Sequence, residues 1–271
     1  MCRLYALHAN EPTRVECSLV LAQNALMSQS EGDSEGMVHG HGWGVADYPD
    51  GMPIIEKQVW AAFHGEHFAE KAAKVYAYTV VAHVRRATVG EPAIENTHPF
   101  SHKRWIFAHN GTIRHFDKVR DTLLDAMDSY QRGLIKGTTD SEHVFHYLLS
   151  LHAKNPETDI QEIVRIGLNQ IIEWCAIVSP DAPPALNIVL TDGDRMVGSC
   201  FGRSLWYLER HAVFHCAICG KSHVHHKTGA HYRLVEIASE PLTAETGWKA
   251  IPDGNVFMVD SDYQLQFTKL G

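Results

Sequence analysis

The chain has 271 residues, 45% of them hydrophobic, which is enough for one large domain or two small ones. Its formal net charge of −8 argues against a nucleic-acid or anionic-membrane surface, because phosphate binding needs a basic field. No apolar run reaches the ~18 residues of a membrane span, no signal peptide is predicted, and the six cysteines form no disulfide framework, so a soluble cytoplasmic protein with reduced thiols is expected.

The chain opens Met1-Cys2-Arg3-Leu4-Tyr5. A small residue at position 2 permits removal of the initiator methionine. Cys2 would then carry a thiol and a free α-amine on one carbon, a nucleophile with its own base of pKa roughly 7.7–8.0. An ordinary small residue at a chain start is the plain alternative. A short strand is predicted over 3–9. Residues 17–29 carry Leu19, Leu21, Ala22, Ala25 and Leu26 at helical spacing. The polar, glycine- and histidine-containing stretch 31–42 is predicted to be a mobile loop. Strands follow at 43–48 and 54–63, a helix at 67–76, a buried β-branched strand at 78–84 and another strand at 104–108. Helices are predicted over 115–127, 139–153 and 159–178, the second opening on a capping box, Thr139-Asp140-Ser141-Glu142. From Pro184 onward the chain reads as strands, at 185–191, 195–201, 205–209, 232–238, 256–259 and 264–268. No linker divides 1–271, so one domain is expected, and the order strands, helices, strands suits a layered α+β arrangement.

Four segments carry chemistry. In Ala82-His83-Val84-Arg85-Arg86-Ala87-Thr88, an arginine leaves the end of a buried strand, which is costly unless an anion meets it. Its guanidinium fork suits a substrate carboxylate, with a structural salt bridge as the alternative. Asn96-Thr97-His98-Pro99-Phe100 is a loop tied down by proline. Phe107-Ala108-His109-Asn110-Gly111-Thr112 reads either as a strand entering an Asn-Gly turn or as an oxyanion hole built from the Asn110 amide and the Gly111 N–H. Asp140 either favours the helix dipole or holds a substrate ammonium group. Arg85 and Asp140 together would bind both charged groups of an α-amino acid.

In this order, behind a cysteine at position 2, the segments resemble class II glutamine amidotransferases, which are N-terminal nucleophile hydrolases. The opening Met-Cys-Arg-Leu, Gln29-Ser30, Gly42-Trp43-Gly44-Val45 and Ala238-Ser239-Glu240-Pro241-Leu242-Thr243 look like the stand-alone subgroup that includes the γ-glutamyl hydrolase of ergothioneine biosynthesis. The resemblance runs from Met1 to about Val259. It implies a four-layer αββα sandwich. It also implies Cys2 as nucleophile, Arg85 on the substrate carboxylate, and Thr88 and His98 at nearby binding positions. Asn110 and Gly111 would form the oxyanion hole, Asp140 would hold the substrate amine, and Trp43 and Gly44 would line the pocket. The implied substrate is glutamine or a small γ-glutamyl compound, with no nucleic-acid or membrane partner. No synthase domain follows, so any ammonia acceptor would be a separate protein. Two rivals remain open: an N-terminal cysteine acylase of penicillin or bile-acid amides, and a non-enzymatic binding protein with a decayed site.

The resemblance calls for no cofactor. Outside its pattern, residues 215–231 are dense in cysteine and histidine. Cys216 and Cys219 have C-x-x-C spacing, with His223, His225 and His226 just downstream, and could supply four zinc ligands. An incidental thiol pair beside a histidine-rich loop, or a redox or copper role, are the other readings.

Overall fold

Strand β1 (Arg3–Arg14) begins one residue after Cys2 and is the middle strand of a seven-stranded antiparallel sheet. On one side lie β4 (Tyr76–Val84), β2 (Trp43–Asp50) and β3 (Met52–Gln58); on the other lie β10 (Leu234–Ala238), β9 (Trp206–Arg210) and β11 (Lys249–Ala250). A second, six-stranded sheet runs β13 (Leu265–Lys269), β12 (Asn255–Val259), β8 (Met196–Cys200), β7 (Ala185–Thr191), β6 (Trp105–Thr112) and β5 (Phe100–His102). The computed structural model describes residues 2–225 and 231–271. Met1 and His226, one of the candidate ligands, lie outside them.

The alternation of a strand assigns each side chain of β1 to one of two cores. Leu4 and Ala6 point between the sheets, where they meet Val81, Ala108, Val189 and Phe257. Tyr5, Leu7 and Ala9 point outward, into a core shared with Trp43, Phe68 and Leu26. Helices α1 (Leu26–Glu31) and α2 (His67–Lys74) contribute to that outer core. On the far face of the second sheet, α3 (Phe116–Ala126), α5 (Asp140–Lys154) and α6 (Ile160–Val178) bury Leu123, Phe145 and Leu168 against Phe107 and Ile188. The layers are therefore helix, sheet, sheet, helix, the four-layer αββα arrangement that the resemblance implies.

Several expectations are corrected. The helix predicted over 17–29 is broken into a π-helical turn, Cys17–Leu21, and α1. Ala22 is extended (φ −65°, ψ 154°), and Asn24 is drawn to the 240–242 segment, its N–H donating to Leu242 O at 3.2 Å and its amide to Pro241 O at 2.8 Å. The stretch 31–42 is a tethered loop, not a mobile one. Its Asp33 carboxylate accepts from the N–H groups of Glu35 (2.9 Å) and Met37 (2.8 Å) and from His39 Nε2 (2.9 Å), and pairs with Arg3 at 2.5 Å. Strand β3 stops at Gln58 instead of continuing to 63. The short elements β5, β11 and α4 (Ser129–Arg132) carry too little periodicity to be seen in the sequence.

Four of the buried histidines show the effect of burial most plainly. Burial lowers His8, His39 and His146 to about 4 and His83 to about 3. Each folded value lies below the unfolded value near 6.5. The unfolded chain therefore binds the extra protons first as pH falls, and stability present at pH 7 is lost from about pH 6.5 downward. The urea midpoint is expected to drop steadily between pH 7 and 5, by on the order of 1–2 kcal/mol per histidine. A midpoint that stays level over this range would contradict the burial of these rings.

Candidate active site

Cys2 sits at the head of β1 and is 8% exposed. Its sulfur lies against the backbone just past β4: Arg86 N–H donates to Sγ at 3.3 Å, and the thiol reaches Arg86 O at 3.4 Å. Burial pushes the thiol up; the Arg86 N–H and the Arg85 charge oppose that rise, and the Asp140 charge adds to it. Cys2, Arg85 and Asp140 therefore act on one another electrostatically at one place.

Arg85 leaves the end of β4 with its backbone held by the 31–42 loop: its N–H donates to Gly42 O at 2.7 Å, and its carbonyl accepts from His41 N at 2.9 Å. The side chain is 2% exposed. Its guanidinium donates to the carbonyls of Val89 (3.0 Å), Gly90 (2.8 Å) and Glu91 (3.2 Å). Among the described residues no carboxylate pairs with it, so the structural salt bridge considered from the sequence is not what fixes it. Asn96 braces the same loop, its amide donating to Glu91 O at 2.9 Å and its Oδ1 accepting from Thr138 N at 2.8 Å.

Asp140 opens α5 and is 3% exposed. Its Oδ2 accepts from Ile113 N at 2.7 Å and its Oδ1 from Ser141 N at 2.8 Å. The predicted capping box forms by half. Thr139 Oγ1 accepts from Glu142 N at 3.2 Å, but the Glu142 carboxylate turns away to the N–H groups of Lys136 (3.0 Å) and Gly137 (2.6 Å). Asp140 is thereby fixed between the end of β6 and the start of α5.

Asn110 and Gly111 lie within β6, paired with Asn187 and Leu186, and not in a turn. A Cβ on Gly111 would stand 1.9 Å from Ala185 O, so close strand packing is what demands glycine here. His109 donates from Nε2 to Ala185 O (2.9 Å), which leaves Nδ1 to accept from the Ser141 hydroxyl (2.9 Å). Asn110 is 2% exposed and its amide lies 3.0 Å from Ser239 Oγ, which also accepts from Leu4 N at 2.9 Å. As oriented, Asn110 Oδ1 is buried without a partner. Turning the amide over gives that oxygen the Ser239 hydroxyl proton and releases both amide N–H groups. Thr88 is exposed; its hydroxyl meets that of Thr112 at 3.0 Å. Both line an open cleft of about 980 Å³ together with Ile113, Thr138 and His143, beside Asp140.

Three expected pocket residues are buried in packing contacts. Trp43 is fully buried in the outer core, edge-on to Phe68 at 5.2 Å, because strand parity points it at α2. Gly44 faces the other way, but a Cβ there would be 2.2 Å from His98 O, so it is a packing glycine. His98 packs between the tilted His83 ring (4.1 Å) and the edge of Phe100 (4.6 Å), with neither ring nitrogen hydrogen-bonded, and burial holds it neutral. Two residues escaped the site reading. Ser239 appears in the sequence only as part of a motif, and Arg3 only as a neighbour of Cys2.

Away from this site, Cys17, Cys216, Cys219 and His223 bring their ligand atoms within 4.8 Å of one another. Cys17 was not among the expected ligands. His225 is corrected out of that set: its ring packs edge-on to Tyr76 at 5.0 Å and its Nε2 meets Arg14 at 3.1 Å.

The family model described as class II glutamine amidotransferases matches residues 1–269. The chain is 29% identical to a probable glutamine amidotransferase, DUG3, of Saccharomyces cerevisiae, over 96% of this chain and 82% of that one. It is 24% identical to the γ-glutamyl-hercynylcysteine sulfoxide hydrolase of Mycobacterium tuberculosis, over 83% of this chain and 77% of that one. The solved structure of a glutamine aminotransferase class-II domain protein from Silicibacter pomeroyi superposes with a TM-score of 0.65 at 17% identity, covering 100% of both chains. With the fold, the Cys2 environment and this match along nearly its whole length, the chain belongs to the class II glutamine amidotransferases.

Proposed function

We propose that the protein hydrolyses the γ-amide bond of glutamine or of a small γ-glutamyl compound in the cytoplasm, with Cys2 as the nucleophile once Met1 is removed. One observation carries the reading: Cys2, held at its sulfur by the Arg86 N–H, Arg85, which among the described residues meets carbonyls and no carboxylate, and Asp140, fixed by two backbone N–H groups, are all buried. The γ-glutamyl hydrolase among the relatives supports the same substrate class.

In this mechanism Arg85 takes the substrate α-carboxylate and Asp140 its α-ammonium, so the γ-carbonyl carbon is held against Sγ. The free α-amine of Cys2 accepts the thiol proton, and the thiolate adds to the carbonyl carbon. The amide of Asn110, turned so that Oδ1 takes the Ser239 proton, donates with the Gly111 N–H to the developing oxyanion. Collapse breaks the C–N bond, and the leaving amine takes the proton from the ammonium. Water, deprotonated by the same amine, then splits the γ-glutamyl thioester to glutamate and regenerates the thiol.

Asn110→Ala is expected to lower turnover by about a hundredfold or more. Near wild-type kcat in this variant would remove Asn110 from the oxyanion hole. Ser239 is a positioning residue, and Ser239→Ala is expected to lower kcat about tenfold with KM little changed, the loss of one orienting hydrogen bond. A proportional rise in KM instead would assign Ser239 to ground-state binding.

Intact mass before and after incubation with a diazoketone analogue of glutamine tests the whole reading. The expected result is loss of Met1 and a single adduct on Cys2. A processed chain that takes no label points to another acyl group, and a chain that keeps Met1 points to a binding protein.

A further inference from the structure

We propose that Cys17, Cys216, Cys219 and His223 bind one zinc ion as a structural centre, independent of the chemistry at Cys2. The four ligand atoms already lie within 4.8 Å of one another. A tetrahedral zinc with bonds of about 2.3 Å to sulfur and 2.0–2.1 Å to nitrogen sets sulfur–nitrogen edges of about 3.6 Å and sulfur–sulfur edges of about 3.8 Å. Cys219 Sγ and His223 Nε2 stand 3.6 Å apart, the length of such an edge.

The backbone around the pair is shaped as a ligand turn. Cys216 N–H donates to Lys221 O at 3.0 Å and Gly220 N–H returns to Cys216 O at 2.8 Å, so the C-x-x-C stretch closes on itself. Ile218 N–H points at Cys216 Sγ at 3.4 Å, a contact that suits a thiolate better than a thiol. Arg14 N–H donates to His223 O at 2.9 Å, tying the loop to the end of β1. Cys17, Cys216 and His223 are 5%, 7% and 8% exposed, so three of the four ligands are withdrawn from solvent, with Cys219 at the rim.

Three sulfurs and an imidazole crowded together have little to gain from one another as neutral groups, since thiols are weak donors and weak acceptors. A soft divalent cation resolves the crowding. Zinc displaces three thiol protons to solvent and takes the lone pair of His223 Nε2, giving a closed Cys3His site of net charge −1.

The consequence is a staple. Cys17 and Cys216 are about 200 residues apart in sequence, and the ion would pin the π-helical turn after β1 to the loop between β9 and β10. Closing so long a loop through a metal constrains the unfolded chain strongly.

The test uses the full chain, purified without a polyhistidine tag and kept reduced. Metal analysis is expected to give one zinc per chain, and X-ray absorption three sulfur ligands and one nitrogen. Cys17→Ser and Cys219→Ser should each lose the metal and unfold at lower temperature, while His225→Ala should keep it. Cys219 is at the rim, so its variant is read even where the buried Cys17→Ser fails to fold. Sub-stoichiometric zinc after reconstitution, copper or iron in its place, a Cys216–Cys219 disulfide, or full metal retention in Cys17→Ser would each overturn the proposal.

Discussion

The site depends on the ion-pair cluster around Arg3. Its guanidinium meets Asp33 at 2.5 Å and Glu240 at 2.8 Å and donates to the Cys2 carbonyl at 3.1 Å. These contacts bring together three stretches that are distant in sequence: Cys2 (the proposed nucleophile), the 31–42 loop and the segment after β10. Ser34 adds its hydroxyl to Glu240 at 2.8 Å. Burial alone would raise Asp33 and Glu240. The Met37 N–H, His39 and Arg3 outweigh it at Asp33, and Ser34 and Arg3 outweigh it at Glu240, so both stay below the usual carboxylate range. Removing one member of a buried network of this kind strands the others at a cost of about 3–5 kcal/mol. The cluster therefore works through geometry: Arg3 fixes Cys2, Glu240 fixes its neighbour Ser239, and Ser239 orients Asn110.

Charge around the nucleophile is kept sparse. His83, His98 and His109 stand behind β4 and β6, and burial depresses all three, so they are neutral in the folded protein. His83 Nε2 contacts His109 O at 3.2 Å, and the His83 and His98 rings pack at a tilt, 4.1 Å apart. The groups that act on the Cys2 thiol by charge include Arg85 and Asp140, each held by backbone contacts and, among the described residues, by no ion pair. Fixed charges in a site of low polarity act more strongly than the same charges in water, and they need no rearrangement when a zwitterionic substrate arrives.

The sequence carried more of the site than of its surroundings. Cys2, Arg85, Asn110 and Asp140, the residues of the proposed site, stand out in the sequence because each lies in a short segment whose chemistry is local: a chain start, a strand end, an Asn-Gly pair and a helix cap. What was not legible depends on partners far along the chain. The 31–42 stretch looks mobile by composition, and it is anchored by Arg3, Glu240 and Arg85, all distant in sequence. Strand alternation gives the parity of Trp43 but not which face is covered by α2. Asn-Gly reads as a turn until the Ala185 carbonyl, from another strand, is seen to exclude any side chain at Gly111. Cys17 carries no ligand signal at all, because its partners lie about 200 residues away.

The same two strands organise both groups of thiols. β1 begins just after Cys2 and leads toward the π-helical turn that carries Cys17, and β10, paired beside it, follows the cysteine-bearing loop and ends just before Ser239. Cys2 meets the Arg86 N–H and lies in the field of Arg85 and Asp140, an environment that suits the proposed reactive sulfur. Cys17, Cys216 and Cys219 are crowded by one another and by an imidazole, an environment that suits shared ligation. Anchoring β1 and β10 near the turn and loop that follow and precede them limits how far their other ends can shift. Those ends hold the Leu4–Ser239–Asn110 hydrogen bonds on which the oxyanion geometry rests.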